Sequence, residues 1–190
     1  KENTKFNPST PYAISRAAMD LHLLSLYKNF RLPIILTRTS NIYGPGQQLY
    51  RIIPKAFMCS KKKIKLNLHG GGNSIRSFIF MDDVSEATYI LSQKGKIGET
   101  YHISNNEFIS IKKLVFIISK IQNISFKKLC HNEADRIGKD KVYKLSFDKL
   151  KKLNWKPKVK LNKGLSMTKK WIDNNFDIFK QKELHYKHKK

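Results

Sequence analysis

The sequence predicts an α/β protein built on a parallel sheet. Thr10 and Pro11 suit the N-cap and first position of a helix, and apolar residues at helical spacing follow them. The next segment, residues 33–39, opens with a continuous apolar run of strand length, which is typical of a strand covered on both faces. A helix followed at once by a buried strand indicates a parallel sheet with helical crossovers.

The later segments continue this alternation, and the chain shows no internal repeat. We predict a helix at 48–60 that Pro54 interrupts, a strand at 65–69, a helix from 82 to about 93 capped by Asp82 and Asp83, a strand at 100–104, a helix at 111–121, a short helix at 148–153 and a last helix from 161 to about 179. In the first helix the apolar stripe is predicted to be Ala13, Ala17, Leu21 and Leu24. The basic tail, 180–190, is expected to be frayed.

Composition allows one packed domain, or one domain with part of another. The chain has 190 residues, of which 40% are hydrophobic and 11% aromatic, so disorder throughout is excluded. No apolar run approaches the roughly 18 residues of a membrane span. Two cysteines, Cys59 and Cys130, exclude a disulfide framework. We therefore expect a cytoplasmic protein without a membrane partner, and the sequence offers no cluster of residues that would bind a metal.

The formal charge of +24 raises the possibility of a nucleic-acid partner. Of the 38 basic residues only six are arginines, whereas bidentate recognition of phosphate or guanine favours arginine. The lysines are spread along the chain rather than interleaved with stacking aromatic residues. A solvated basic face is thus the preferred interpretation, and such a face still attracts anionic metabolites.

Tyr12 and Arg16 lie four residues apart on the first predicted helix, which puts a phenol and a guanidinium on one face. The permanent positive charge favours the phenolate form, as a tyrosine acting as acid or base requires. Alone, this spacing is far more common on ordinary solvated helix faces.

Two loops hold further candidate residues. Asn41 follows the first strand, at the sheet edge where open α/β sheets bind ligands, although a turn-forming role explains it as well. Residues 70–72 are three glycines close to Arg76, and backbone amides beside a guanidinium could approach a diphosphate. A simple hairpin turn accounts for the glycines equally well.

The order of the motifs carries more information than any one of them. The series is Tyr12-x-x-x-Arg16, Ser40-Asn41-Ile42-Tyr43-Gly44-Pro45, His69-Gly70-x-Gly72 with Arg76, residues 98–103 (GETYHI), residues 135–138 (DRIG) and residues 153–157 (LNWKP). Up to about residue 175 this series resembles the C-terminal portion of the extended short-chain dehydrogenases/reductases. Within that superfamily it is most similar to the dTDP-glucose 4,6-dehydratases.

The resemblance implies roles for individual residues. Tyr12 matches the tyrosine that takes the proton from the sugar 4-hydroxyl, and Arg16 stands where the family has the lysine that holds the nicotinamide ribose, so both would contact the cofactor, NAD. The implied substrate-binding residues are Asn41, Arg51, Asn67, His69, Arg76, His102, Arg136 and Lys139.

The resemblance also implies an architecture, in which the C-terminal part of a Rossmann-type parallel sheet is interleaved with a small α/β substrate-binding domain. Residues 1–44 and 75–104 would form a partial NAD-binding domain, and residues 45–74 and 105–179 would bind the sugar nucleotide. The family's glycine-rich turn and Thr-Asp-Glu group do not precede Tyr12. We therefore expect a fragment that binds NAD poorly and does not complete the reaction alone.

The implied activity is NAD-dependent dehydration of dTDP-glucose to a 4-keto-6-deoxyglucose nucleotide, in a homodimer. Two alternatives are a sugar-nucleotide 4-epimerase of the same family and a non-catalytic sugar-nucleotide-binding remnant. A basic nucleic-acid-binding protein is a less favoured third.

Overall fold

The computed structural model describes residues 1–135 and 141–186, in which helices and strands alternate. The helices are α1 (Pro11–Phe30), α2 (Ile52–Lys61), α3 (Met81–Lys94), α4 (Ile111–Ile121), α5 (Phe126–Leu129), α6 (Asp148–Lys151), α7 (Leu161–Asn174) and α8 (Phe176–Phe179). The strands are β1 (Leu36–Thr39), β2 (Asn41–Tyr43), β3 (Leu66–His69), β4 (Ile75–Phe80), β5 (Thr100–Ile103), β6 (Phe108–Ser110) and β7 (Cys130–Glu133).

Strand pairing is mostly parallel, which confirms the predicted α/β class. β1 pairs with β5, β2 with β4, and β3 with β7, each in parallel, while β6 joins the other edge of β4 antiparallel. Ser40 carries the chain from β1 into β2, and its amide donates to the carbonyl of Ile103 at 3.0 Å. The ends of β1 and β2 therefore lie close to β4 and β5.

Strand β4 separates two apolar cores. Phe78 and Phe80 point into a core built with α2, α4 and α7, whereas Ile79 points into a second core that contains Trp155 and residues of α3. Successive side chains of a strand face opposite sides, so β4 is covered on both faces. This double burial fixes the position of Arg76 near the start of the strand.

The helices differ from the sequence-based predictions in several places: α2 begins at Ile52 rather than at 48, and α6 ends at Lys151 rather than at 153. Pro54 does not interrupt α2 but occupies its third position, where a backbone N–H has no acceptor within the helix. Helix α3 has Phe80 as its N-cap, so Asp82 and Asp83 lie in its first turn instead of capping it. The last predicted helix is divided at Asn175 into α7 and α8.

Helix α1 starts at Pro11 as predicted, and its N-cap Thr10 accepts a hydrogen bond from the amide of Ala13 at 3.2 Å. The predicted apolar stripe is only partly covered, since Ala13, Ala17 and Leu24 are half-buried, Leu21 is exposed and no residue of α1 is fully buried. The helix is also attached by an ion pair between Asp20 and Arg38 at 2.7 Å and by Tyr27, which packs on Gly98. Within the described chain, no helix is long and apolar enough to cross a membrane.

The expectation of a frayed tail is wrong for its described part, residues 180–186. Leu184 is only 5% exposed and joins the core around α2 and α7. Lys62 Nζ also donates to the carbonyl of Lys182 at 3.1 Å. Burial of an apolar side chain therefore anchors the tail, although the composition of the tail is mostly basic.

Candidate functional site

A cavity of about 1030 Å³ lies beyond the carboxyl ends of β1 and β2. Its wall also includes the N-terminal turn of α2, strand β3, the start of β4 and the segment after α8. In open α/β sheets this edge is where ligands bind. The volume is at the upper end of the range for small-molecule sites, roughly 300–1000 Å³.

Six of the residues predicted to act at a site line this one cavity. They come from five parts of the chain, and they are Tyr12, Asn41, Arg51, Asn67, His69 and Arg76. The fold therefore brings these six residues to the wall of one cavity.

The wall of the cavity is positively charged. Its cationic side chains include Arg51, Lys55 and Arg76, and among the described residues that line it there is no Asp or Glu. Arg51 is also the N-cap residue of α2, where the first backbone N–H groups of the helix have no partner in the helix. The cavity is therefore suited to an anion with several oxygen acceptors.

Two amide side chains add neutral polar groups to the wall. Asn41 begins β2 and Asn67 lies in β3, and neither side chain hydrogen-bonds to any residue in 1–135 or 141–186. An amide offers two donors and an acceptor. Both groups are therefore available to the hydroxyl, carbonyl or phosphate groups of a ligand.

His69, at the end of β3, pairs with β7. Its Nδ1 lies 2.8 Å from the carboxylate of Glu133, the residue opposite it in the parallel register. This contact holds the imidazole at the cavity wall. It also joins β3 to the strand that leads into residues 134–140.

The glycines at 70–72 do not form a hairpin turn. Strand β3 pairs with β7 and strand β4 pairs with β2 and β6, so the strands on either side of the glycines are not neighbours. All three glycines adopt left-handed φ angles of 58°, 62° and 72°, and a Cβ on Gly72 would lie 2.8 Å from the backbone nitrogen of Lys112. Glycine is required here for backbone geometry.

Tyr12 and Arg16 are placed differently. The Tyr12 side chain is 75% exposed and lines the cavity, while Arg16 does not line it and its guanidinium lies 3.9 Å from the sulfur of Met19. Tyr43 also lines the cavity, but its buried hydroxyl donates to the carbonyl of Leu161 at 3.3 Å. Burial, together with the negative charges of Glu107 and Asp83, raises the pKa of Tyr43, so Tyr12 is the better candidate for proton transfer.

The structure does not bring His102 to the cavity. Its ring lies in β5, is only 2% exposed, and has its Nδ1 3.1 Å from the carbonyl of Ser146. Glu2 approaches the same nitrogen at 3.9 Å. Contact between His102 and a substrate would require this packed strand to open, so the prediction of a binding role is corrected to a structural one.

Two predicted residues, Arg136 and Lys139, lie outside the described residues. Sequence reasoning also missed parts of the wall: Tyr50, Lys55 and the tail residues Leu184, His185 and Tyr186. Tyr50 could have been noticed beside Arg51, but nothing in the sequence signals that the tail folds back.

A comparison with family models gives a match over residues 1–168 to the family described as GDP-mannose 4,6 dehydratase. The chain belongs to this family. The resemblance stated from the sequence is confirmed, and the match includes all ten predicted site residues.

Individual relatives agree with this assignment. The dTDP-D-glucose 4,6-dehydratase of Homo sapiens is 33% identical over 187 residues, which is 96% of this chain and 53% of the human protein. The chain thus spans about half the length of this relative.

Solved structures of the family share the fold. The dTDP-glucose 4,6-dehydratase of Bacillus anthracis, in complex with NAD, superposes with a TM-score of 0.88 at 31% identity, over 93% of this chain and 56% of that one. DesIV, the dTDP-glucose 4,6-dehydratase of Streptomyces venezuelae with NAD bound, gives 0.90 at 28% identity, over 93% and 55%. The fold is therefore that of the C-terminal part of a Rossmann-type dehydratase.

Proposed function

We propose that this chain supplies the sugar-nucleotide-binding part of an NAD-dependent 4,6-dehydratase, with dTDP-glucose as the first substrate to test. The observation that carries the proposal is the cavity wall, where Arg51 and Arg76 converge with two uncommitted amides and no described residue is acidic. The names of the relatives direct the choice of sugar nucleotide.

The diphosphate of the substrate is assigned to Arg51 and Arg76. Guanidinium groups bind phosphate oxygens through paired N–H donors, and charge-assisted hydrogen bonds of this kind contribute about 1.5–3 kcal/mol each. The N-terminal turn of α2 adds a favourable dipole at the same wall. Asn41 and Asn67 are then available to bind neutral parts of the ligand. His69 is available to bind a further hydrogen-bond acceptor of the ligand.

We assign to Tyr12 the role of accepting the proton from the sugar hydroxyl that is oxidised. Its exposed phenol lies at the cavity, as a group that must reach a substrate requires. The reaction begins with loss of that proton as the carbon–hydrogen bond breaks. Arg16, one helical turn away on α1, is assigned to the cofactor's ribose.

The residues present fit one end of NAD. Tyr12 and Ser40 both line the cavity at the carboxyl edge of the sheet, and the hydroxyl of Ser40 is buried without a hydrogen-bond partner among the described residues. Tyr12 and Ser40 would hold the nicotinamide riboside there. When bound, NAD supplies the acceptor for the hydride that leaves the sugar. The sequence contains no Gly-x-x-Gly-x-x-Gly turn for the pyrophosphate.

We also propose that residues 1–44 and 75–104 form part of an NAD-binding domain and that residues 45–74 and 105–179 bind the sugar nucleotide.

We further propose that the chain associates into a homodimer through α1. The side chains of Ile14, Met19 and Leu21 on this helix are exposed and apolar, and covering them would be favourable. Sedimentation of the parent chain and of an Ile14→Glu variant tests this association. A parent chain that sediments as a monomer would contradict it.

The proposal is tested by calorimetric titration of the 190-residue chain with dTDP-glucose. We expect Arg51→Ala and Arg76→Ala each to weaken binding about 10- to 100-fold, since each removes charge-assisted hydrogen bonds. Lys163→Ala is the matched control, because it removes one exposed positive charge on α7 away from the cavity. Equal effects of all three variants would contradict the assigned contacts.

Substrate choice and turnover are tested separately. UDP- and GDP-sugars titrated in parallel show which base is preferred, and failure of every sugar nucleotide to bind would refute the proposal. Incubation with NAD and dTDP-glucose, followed for a 4-keto-6-deoxy product, checks the expectation that this chain alone does not complete the reaction.

A further inference from the structure

The segment after α8 forms part of the cavity wall although it lies beyond residues 1–168, the part that the family model matches. Leu184 anchors the segment in the core, and the bond from Lys62 Nζ to the carbonyl of Lys182 ties it to the end of α2. Tyr186 follows the anchor by two residues. Its placement at the cavity is therefore fixed by packed neighbours.

An aromatic stack leads from Tyr186 to a predicted substrate residue. The rings of Tyr186 and Tyr50 meet edge to face, with centroids 5.3 Å apart and planes at 63°. The guanidinium carbon of Arg51 lies 5.4 Å from the centroid of the Tyr50 ring. Aromatic pairs of this geometry contribute about 0.5–1.5 kcal/mol, and an exposed cation over a ring about 0.5–1 kcal/mol.

The guanidinium of Arg51 contacts this stack through the Tyr50 ring. No carboxylate in residues 1–135 or 141–186 forms an ion pair with it, so the ring of Tyr50 is the group that limits its rotamers. A free arginine side chain loses about 2 kcal/mol of rotamer entropy when it is fixed. A guanidinium already held at the cavity wall loses less of this on binding an anion.

We propose that Tyr186 is a positioning residue for anion binding: it supports Tyr50, which in turn holds Arg51 toward the diphosphate of a sugar nucleotide. The ligand named here rests on the proposed function. The contacts among Tyr186, Tyr50 and Arg51 do not rest on the proposed function, because they exist in the protein without a ligand. The C-terminal segment is thereby a component of the binding site.

Titration of the 190-residue chain with dTDP tests the proposal. Tyr186→Ala should weaken binding about 3- to 10-fold, in keeping with loss of one aromatic contact, and Tyr186→Phe should restore it because the ring is kept. Tyr89→Ala is the matched control, since this exposed tyrosine of α3 does not line the cavity. An unchanged affinity of Tyr186→Ala would overturn the proposal.

A double-mutant cycle separates positioning from a direct contact. If Tyr186 acts through Arg51, Tyr186→Ala should have no further effect in an Arg51→Ala background. An equal loss in both backgrounds would overturn the indirect role. Because Tyr186 is 61% exposed, its variants should unfold at nearly the parent temperature, so a loss of affinity does not reflect unfolding.

A measurement without ligand keeps this inference independent of the proposed function. The NMR signal of the Arg51 Nε–H group should shift in Tyr186→Ala and stay near its parent position in Tyr186→Phe. No shift in Tyr186→Ala would overturn the proposal. If the parent chain does not bind dTDP while the Arg51 signal responds as expected, the proposed function fails and the positioning role stands.

Discussion

Gly164 of α7 packs directly against the phenol of Tyr43, so that no Cβ fits between the helix and the ring. The hydroxyl of Tyr43 donates to the carbonyl of Leu161, one turn earlier in the same helix. Tyr43 ends β2 and lines the cavity, so this contact sets the distance between α7 and the cavity wall.

Gly164→Ala should therefore destabilise the protein. Alanine is the better helix former by about 1 kcal/mol, but its methyl group would overlap the Tyr43 ring and Phe80, and overpacking costs about 1–3 kcal/mol. We expect a net loss of up to about 2 kcal/mol in the free energy of unfolding, measured by urea titration. Ser166→Ala, at an exposed position of the same helix, is the control, and equal stability of the two variants would contradict the packing argument.

Asp83 should be far more important for stability than its neighbour Asp82. The buried carboxylate of Asp83 accepts from the backbone amides of Lys158 at 2.9 Å and Val159 at 3.1 Å, which ties α3 to the segment before α7. Asp83→Ala leaves both amides without a partner, and we expect a loss of about 2–4 kcal/mol.

Asp82→Ala removes a charge from the same first turn of α3, but the side chain is exposed and only the helix dipole is affected. Its expected cost is below about 1 kcal/mol. Thermal unfolding of the two variants side by side measures the difference. Similar unfolding temperatures would show that the bonds to Lys158 and Val159 are dispensable.

Stability should fall in mildly acidic solution because of His102. Burial lowers the pKa of this imidazole; Glu2 and the Ser146 carbonyl oppose the effect, and the N-terminal ammonium and Arg38 add to it. The unfolded chain thus takes up the proton more readily than the folded protein, so the contribution is present above about pH 6.5 and is lost as the pH falls through the folded-state pKa.

Urea titrations at about pH 7.5 and 5.5 check this dependence against the ordinary histidine pKa of roughly 6.5. His102→Asn should lose less stability between the two conditions than the parent chain does. The pKa values of Glu99 and Asp173 are also lowered, but carboxylates titrate near pH 4, so their effect lies at lower pH. An equal loss in parent and variant would exclude His102 as the cause.

Tyr12→Phe should separate binding from proton transfer. The variant removes only the hydroxyl of a side chain that is 75% exposed, so stability and the affinity for dTDP should stay within about twofold of the parent values. When the same change is made in a preparation of the protein that catalyses the reaction, turnover should be lost, because no proton acceptor remains at the sugar hydroxyl. Retained turnover would remove Tyr12 from the reaction.

Local sequence signals predicted some elements closely. Helix α4 has the predicted bounds, 111–121, because Ser110 caps it and its apolar residues recur at helical spacing. Strand β7, Cys130–Glu133, was not predicted, since three of its four side chains are polar or charged. It forms because β3 offers an edge to pair with, and that edge comes from a distant part of the chain.

In the candidate site, too, the sequence predicted some residues correctly and misplaced others. Asn41, Arg51, Asn67 and Arg76 were predicted from the resemblance to the family, and all four line the cavity. His102 lies in a motif too, but its neighbours across the strand turn it into the core. Such placement depends on tertiary packing, which a linear pattern does not contain.

The cavity wall without described acidic residues also bears on selectivity in a cell. Positive charge attracts any small anion, so inorganic phosphate and other polyanions would compete for Arg51 and Arg76. The positive charge of the wall therefore attracts anions in general. The groups that contact the uncharged parts of a ligand discriminate between one anion and another. On this wall those groups are Asn41 and Asn67, and replacing them should broaden the range of anions bound more than it lowers affinity for any one.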